Sequence, residues 1–291
     1  MIWIIGNLGM LGQDLSREFS EAGIDFIGTD KEVSILEPEV MKDFAFGKDI
    51  SFIINCSAYT AVDKAEEDQE TAYLINKNGV ENIARVAASL DVPLLLISTD
   101  YVFDGSSSMP LDEDAPTGPV GVYGASKLVG EDVVRKICNK HFIIRTAWLY
   151  GQYGPNFVYT MVGLMNRLET LKVVDDQIGS PTWTRDLTGL IKKIVIDNST
   201  SFGTYHLSGE GECSWHGFAS EIYTLGRASG LIESDCALNP CTSDEFPTAA
   251  KRPAFSLLNK NKVRTVLGYD VPRWQDSLNT FMKGIGKDDI L

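Results

Sequence analysis

Histidine is scarce in this chain, with three in 291 residues. The five cysteines, Cys56, Cys138, Cys213, Cys236 and Cys241, contain no Cys-x-x-Cys pair. That combination speaks against a zinc site and against a disulfide framework. Thiols kept reduced suit the cytoplasm, which is the expected location. Basic residues are also short, 26 Lys and Arg against 40 Asp and Glu, for a net charge of −14. A chain of that sign repels polyanions, so neither nucleic acid nor an anionic membrane is an expected partner. Any phosphorylated ligand must be gripped by local donors against the overall field. No apolar run approaches the roughly 20 residues of a membrane span. The apolar start, residues 1–11, lacks a basic n-region and is broken by Gly6, Asn7 and Gly9, so no signal peptide is expected there.

What is present is ample core material. Hydrophobic residues make up 44% of the chain. The length suits one large α/β domain, or a main domain with a smaller lobe. Short apolar runs at 2–5, 24–27, 51–55, 93–97 and 142–145 read as strands. The run 93–97 is apolar throughout, as a strand buried on both faces of a parallel sheet would be. Helical spacing follows the first run at Leu11, Leu15 and Phe19, and residues 63–90 read as one long helix or two abutting ones. Alternation of β and α predicts a Rossmann-type doubly wound parallel sheet over about residues 1–150. Beyond that the pattern loosens. Residues 156–168, 184–196, 215–227, 263–267 and 274–282 read as helices, 205–207 as a strand, and 236–253 as irregular. Residues 151–291 are therefore expected to form mostly a smaller C-terminal substrate lobe, with some segments returning to the main sheet.

Three stretches carry chemistry. Gly6-Asn-Leu-Gly-Met-Leu-Gly12 follows a strand and opens a helix. Glycines there let the backbone approach a pyrophosphate at the helix N-terminus. Asn7, Met10 and Leu11 share that turn. Asp30 ends the second strand, 18 positions after Gly12. An acid at that place accepts ribose hydroxyls and repels a 2′-phosphate, which favours NADH, whereas Lys31 offsets it. The cofactor is thus expected to be NADPH or NADH. Ser98-Thr-Asp-Tyr-Val-Phe-Asp-Gly105 lies beyond the carboxyl end of a strand, which places Thr99 to meet a reacting carbonyl. Tyr123 and Lys127 stand four residues apart, on one helix face. A positive charge beside the phenol would lower its ordinary pKa of about 10 and make it a proton donor. The competing reading of Lys127 is a surface lysine, and that of Asp30 a capping one.

Taken together these residues resemble the extended short-chain dehydrogenases/reductases, and within them the dTDP-4-dehydrorhamnose reductase family. The likeness continues through 55–66, 122–131, Arg145-Thr-Ala-Trp-Leu-Tyr-Gly151, Asp176-Gln-Ile-Gly-Ser-Pro-Thr182 and Lys251-Arg-Pro253. It implies a catalytic trio of Thr99, Tyr123 and Lys127. It implies Ala58, Tyr59 and Thr60 beside the cofactor, with Val62, Tyr101 and Trp148 along the substrate. The implied reaction is NAD(P)H-dependent reduction of a 4-keto sugar carried on thymidine diphosphate. Lys251 and Arg252 are expected to hold that diphosphate, against the plainer reading of solvated surface charges.

Two departures and two alternatives accompany the resemblance. An Asp-Ile/Leu-Thr-Asp run that contacts adenine in the family is Ser34-Ile-Leu-Glu37 here. Some members bind a divalent metal between subunits through glutamates, and this chain has Trp183-Thr-Arg185 at the matching place, so no metal is expected. Related dehydratases carry Thr-Asp-Glu. Here Tyr101 follows Thr99-Asp100, which favours simple carbonyl reduction over dehydration or epimerisation. A non-catalytic, cofactor-binding regulatory subunit of methionine adenosyltransferase also resembles the chain. A stable transferase complex without ketone-dependent cofactor oxidation would mark that alternative. A homodimer is left open.

Overall fold

Four consecutive apolar residues, Ile2–Ile5, form strand β1, and all four are buried. A strand covered on both faces belongs inside a parallel sheet. The computed structural model, which describes residues 1–290, places it there. β2 (Phe26–Thr29) lies on one side of β1 and β3 (Phe52–Asn55) on the other. Outward from β3 come β4 (Leu94–Thr99), β5 (His141–Thr146) and the strand Gly203–His206. Every pairing in this six-stranded sheet is parallel. The chain reverses its direction of travel across the sheet between β1 and β3. Ligands of such sheets sit outside the carboxyl ends of the strands at that switch.

Two apolar layers seal the sheet. On one face, α1 (Met10–Glu21) packs beside the helix Thr184–Ile196, with Leu11, Leu15, Leu187 and Ile191 buried between them and the strands. On the other lie α2 (Pro38–Ala45), α5 (Val80–Ser89) and α6 (Val122–Ile137). The short helices α3 (Val62–Ala65) and α4 (Gln69–Tyr73) connect β3 to α5. A separate core gathers Tyr150, Trp183, Phe218 and Phe281 among the helices Phe157–Met165, Trp215–Ser229 and Trp274–Gly284. Among the described residues no helix is long and apolar enough to cross a membrane.

Three elements differ from the sequence reading. β2 starts two residues late, because Gly23 takes φ +65° and the Ile24 N–H closes back on the Phe19 carbonyl at 2.9 Å. The expected helix over 63–90 is broken after Ala65 and again by a π-helical stretch, Leu74–Gly79. Asn76 lies in that stretch and spends its side chain on the Tyr59 backbone, accepting from N at 2.9 Å and donating to O at 3.1 Å. Within 236–253, Ala237–Cys241 is a strand paired in parallel with Thr170–Val174. Pro240 hides it from a sequence reading, yet a two-stranded ladder has free edges where proline is tolerated.

One ion cluster ties α6 to the sheet. Glu131, fully buried, receives Arg145 Nε at 2.9 Å and its second terminal nitrogen at 2.7 Å. Arg135 donates at 2.6 Å, and the Ser98 hydroxyl of β4 donates as well. Burial pushes the Glu131 carboxyl up, but Arg145, Ser98 and Arg135 overcome it and hold it below its usual value. Glu131→Ala would strand Arg145 in the core, a loss of about 3–5 kcal/mol that urea unfolding would register. Because the folded pKa is lowered, the contribution is complete above the unfolded value of about 4.3. It fades as pH falls through the folded one. Equal stability of variant and parent at neutral pH would contradict this account.

Candidate active site

The glycine turn sits at the switch point. Gly6 takes φ +77°, and a Cβ there would lie 2.8 Å from the Ser57 nitrogen, so the loops after β1 and β3 touch at that position. A Cβ on Gly12 would lie 2.2 Å from the Gly6 carbonyl oxygen, which is how α1 starts so close to the turn. Gly9, the N-cap of α1, is exposed, and a Cβ there would meet only the Gly6 oxygen, at 3.4 Å. That open space, before a helix with no acidic residue in its first turn, fits a pyrophosphate. The Asn7 side chain lies over Gly28 of β2. Met10 is half-buried, and the Leu11 side chain belongs to the core, so only its backbone can serve a ligand.

Asp30 directly follows β2. Its carboxylate accepts the Lys31 N–H at 2.9 Å, and Glu32 accepts the Asp30 N–H at 2.8 Å. Two acids therefore stand where the ribose of a dinucleotide would end. Beyond β3, Ala58 and Tyr59 are half-buried and Thr60 is exposed. Asn76 fixes this loop and reaches across to α6, donating to the Ser126 hydroxyl at 2.9 Å.

At the carboxyl end of β4, Thr99 meets Tyr123 of α6. The Val122 N–H at the start of α6 is received by Glu66 at 2.8 Å, which sets the helix entry. Burial pushes the Tyr123 phenol up to about 12, the nearby Thr99 hydroxyl draws it down, and the charge of Asp100 pushes it up again. Lys127 is not among these influences. Its ammonium donates to the Ile97 carbonyl at 2.7 Å, and burial lowers it to about 8, with Glu131 opposing. The helical spacing does put Tyr123 and Lys127 on one face. However, the expected lowering of the phenol by the lysine is absent, because the ammonium is turned onto the backbone of β4. Thr99 also differs from expectation. Its one hydroxyl proton goes to Asp100 at 3.0 Å, and its oxygen accepts the Tyr101 N–H at 3.2 Å.

Tyr101 packs edge-on to Tyr123, with ring centroids 5.6 Å apart. Trp148 adopts φ +48°, lies against Gly179 and stacks on Trp215 at 3.7 Å. Val62 begins α3, next to Asp63. Asp63 takes both ends of the Arg252 guanidinium, at 3.0 and 2.9 Å, and also the Ala250 N–H at 3.1 Å. The hydrogen bonds from Arg252 hold the Asp63 carboxyl below its usual value. Arg252 is therefore engaged in closing the C-terminal segment onto α3, and Lys251 is exposed with no ion pair among the described residues. Both residues line a cavity of about 870 Å³, walled by Phe157, Met161, Trp215 and Phe246.

Sequence reasoning missed Asp63, Asn76, Asp100 and Glu131 as organising residues. Each acts through a partner distant in the chain or through burial, and neither leaves a local spacing. Glu131 carried a signal, as an acid on the face of α6 that holds Lys127, and Asp63 and Asp100 stood inside the stretches 55–66 and 98–105 with no role of their own.

Comparison with known proteins covers the whole of this geometry. The family model described as RmlD substrate binding domain matches residues 1–286. The dTDP-4-dehydrorhamnose reductase of Aggregatibacter actinomycetemcomitans is 36% identical over 285 residues, 94% of this chain and 96% of that protein. The crystal structure of the dTDP-4-dehydrorhamnose reductase of Clostridium acetobutylicum ATCC 824 matches with TM-score 0.91 at 39% identity, over 97% of this chain and 98% of that one. The one from Bacillus anthracis str. Ames, solved in complex with NADP, matches with TM-score 0.91 at 37% identity, over 98% and 99%. Glycine turn, Tyr-x-x-x-Lys helix and C-terminal lobe all fall inside these matches, and the chain belongs to the RmlD family of dTDP-4-dehydrorhamnose reductases.

Proposed function

We propose that this chain reduces the C4 ketone of dTDP-4-dehydro-6-deoxy-L-mannose, giving dTDP-L-rhamnose, with NADPH or NADH as donor, in the cytoplasm. The observation that carries the reading is the meeting of Thr99 and Tyr123 at the carboxyl edge of the sheet, on the side of the Gly6–Gly12 turn. Bound nicotinamide supplies the hydride. Gly6, Gly9 and Gly12 with the first N–H groups of α1 hold the pyrophosphate, Asp30 the adenosine ribose, and Lys127 the nicotinamide ribose. Residues 1–150 then form the cofactor domain and 151–291 mostly the substrate lobe.

Tyr123 is the proton donor. With its pKa near 12 it remains a phenol at neutral pH, and it yields its proton only as charge grows on the ketone oxygen. Thr99 orients that phenol. The cavity of about 870 Å³ takes the nucleotide, its apolar wall facing the base. Tyr101, packed on Tyr123, and Trp148, stacked on the cavity residue Trp215, would lie along the bound sugar, with Val62 at its edge. Since Asp63 occupies the fork of Arg252, Lys251 is the cation free to meet the diphosphate.

Three measurements test this reading. Purified protein should oxidise NADPH or NADH only when the 4-keto nucleotide sugar is present, and Tyr123→Phe should cost about 10²–10⁴-fold in kcat while still binding cofactor. A Phe variant as fast as the parent would remove Tyr123 from the chemistry. Gly9→Val should weaken cofactor binding in a fluorescence titration and leave the melting temperature nearly unchanged, since its side chain points into open space. Unaltered affinity would mean that the pyrophosphate lies elsewhere. Lys251→Ala should raise KM for the nucleotide sugar about 10-fold or more and spare that for the cofactor. Equal KM values in variant and parent would exclude it as the diphosphate contact.

A further inference from the structure

Gly179 ends the short strand Ile178–Gly179, which pairs antiparallel with Cys213–Ser214. Its backbone is not left-handed, so conformation alone does not call for glycine there. The constraint is spatial. A Cβ on Gly179 would lie 2.8 Å from both Cε2 and Cζ2 of Trp148 and 3.1 Å from its Nε1. Those atoms belong to a rigid indole, which has no flexible end to fold away.

Both sides of this contact are anchored. The strand of Gly179 is held by Cys213–Ser214 on one edge. On the other, the Ile178 N–H donates to the Ala254 carbonyl at 2.8 Å and the Ser256 N–H to the Ile178 carbonyl at 2.9 Å. Trp148 holds φ +48°, a conformation that a bulky residue keeps only where its surroundings impose it. Its carbonyl accepts the Thr182 N–H at 3.2 Å, and Leu149–Tyr150 pairs with Thr182–Trp183. Segment 178–183 therefore grips the backbone at Trp148 and also leaves the gap that its indole fills. The indole stacks on Trp215 with centroids 3.7 Å and planes 13° apart, and Trp215 meets Phe157 at 4.6 Å. Trp215 and Phe157 line the cavity of about 870 Å³. Close-packed side chains transmit a displacement rather than absorb it. A push on Trp148 thus reaches the cavity wall directly.

We propose that Gly179 is a positioning residue for the nucleotide sugar: the side chain it lacks is the space in which Trp148 lies, and the Trp148–Trp215 stack seated there sets the cavity wall. The proposal rests on the reading of that cavity as the nucleotide-sugar site. Gly179 carries no group with which to grip a ligand, so it acts only through where the two indoles stand. The residues assigned to the cofactor, Gly6 to Asp30 and Lys127, are not part of this stack. The effect of filling the gap therefore falls on the sugar and spares the cofactor.

The test uses the full chain with NADPH and the 4-keto nucleotide sugar. Gly179→Ala should raise KM for the sugar about tenfold or more, with KM for NADPH close to the parental value. Melting temperatures of the parent, Gly179→Ala, Trp148→Leu and the double variant close a cycle that needs no turnover. Leucine has no atoms where the indole ring carbons lie. The lowering that Gly179→Ala causes in the parent should therefore vanish in the Trp148→Leu background. An equal lowering in both backgrounds overturns the proposal, because the added Cβ would then meet something other than the indole. So does a Gly179→Ala variant with the parental KM for the sugar, or one whose two KM values rise together, which would be a general structural effect. Should Gly179→Ala not fold, adding Trp148→Leu must restore folding, and Trp215→Leu by itself must raise KM for the sugar alone; failure of either overturns the proposal. A parent that binds no nucleotide sugar and oxidises no NADPH refutes the reductase reading. An active parent with any of the overturning results above refutes only the role of Gly179.

Discussion

The site depends on one buried ion pair, Glu131 with Arg145. The helix that carries Tyr123 must be held at a fixed height above the strand that carries Thr99 if the two are to stay together. Apolar packing alone lets a helix slide or rotate, because dispersion contacts are individually weak and direction-free. The two-pronged contact from Arg145 on β5 and the Ser98 hydroxyl on β4 remove that freedom. Glu131 lies one turn beyond Lys127 and two beyond Tyr123 on α6. Fixing it therefore fixes both, and brings the phenol against Thr99. Buried pairs seldom add net stability over an apolar replacement. What this one supplies is register between α6 and the sheet.

The same logic explains what was legible in the sequence. The glycine turn could be read because its geometry leaves no choice of residue. Gly6 needs a left-handed φ, and Gly12 must let a carbonyl come closer than any side chain permits. β1 could be read because a strand covered on both faces has to be apolar throughout. Tyr123 and Lys127 could be paired because helical spacing is local. None of this reaches Asp63 and Arg252, which are 189 positions apart and meet only because the C-terminal segment folds back over α3. Nor does spacing tell where a side chain ends. Lys127 lies on the expected face, yet its ammonium donates to the Ile97 carbonyl. α2 escaped notice because it is a two-turn helix, mostly exposed, with a proline at its start.

Electrostatics at the reacting centre follow from that displacement. With the lysine bonded to β4, burial governs Tyr123, and the phenol becomes a firmer holder of its proton than free tyrosine. As the proposed donor, such a phenol would yield its proton only when an oxyanion forms beside it.

An acidic protein that binds a diphosphate faces a shortage of free cations near its site. In this chain three cations close to the carboxyl edge of the sheet are already committed. Arg145 serves Glu131, Arg252 serves Asp63, and Lys127 is bonded to a backbone carbonyl. Lys172, on the cavity wall, pairs with Glu245 at 3.0 Å. Apart from Lys251, neutralisation must then come from groups that carry no formal charge. The first turn of α1 holds no acid, and its N–H groups point outward as partial positive charges. That suits the pyrophosphate proposed there. For the substrate diphosphate the cavity offers Lys251 and the backbone of residues 243–254. The Asp63–Arg252 clamp holds this segment in place and cancels one of the acids nearest the site. Closing the lobe and lowering the local negative charge are thus the same interaction.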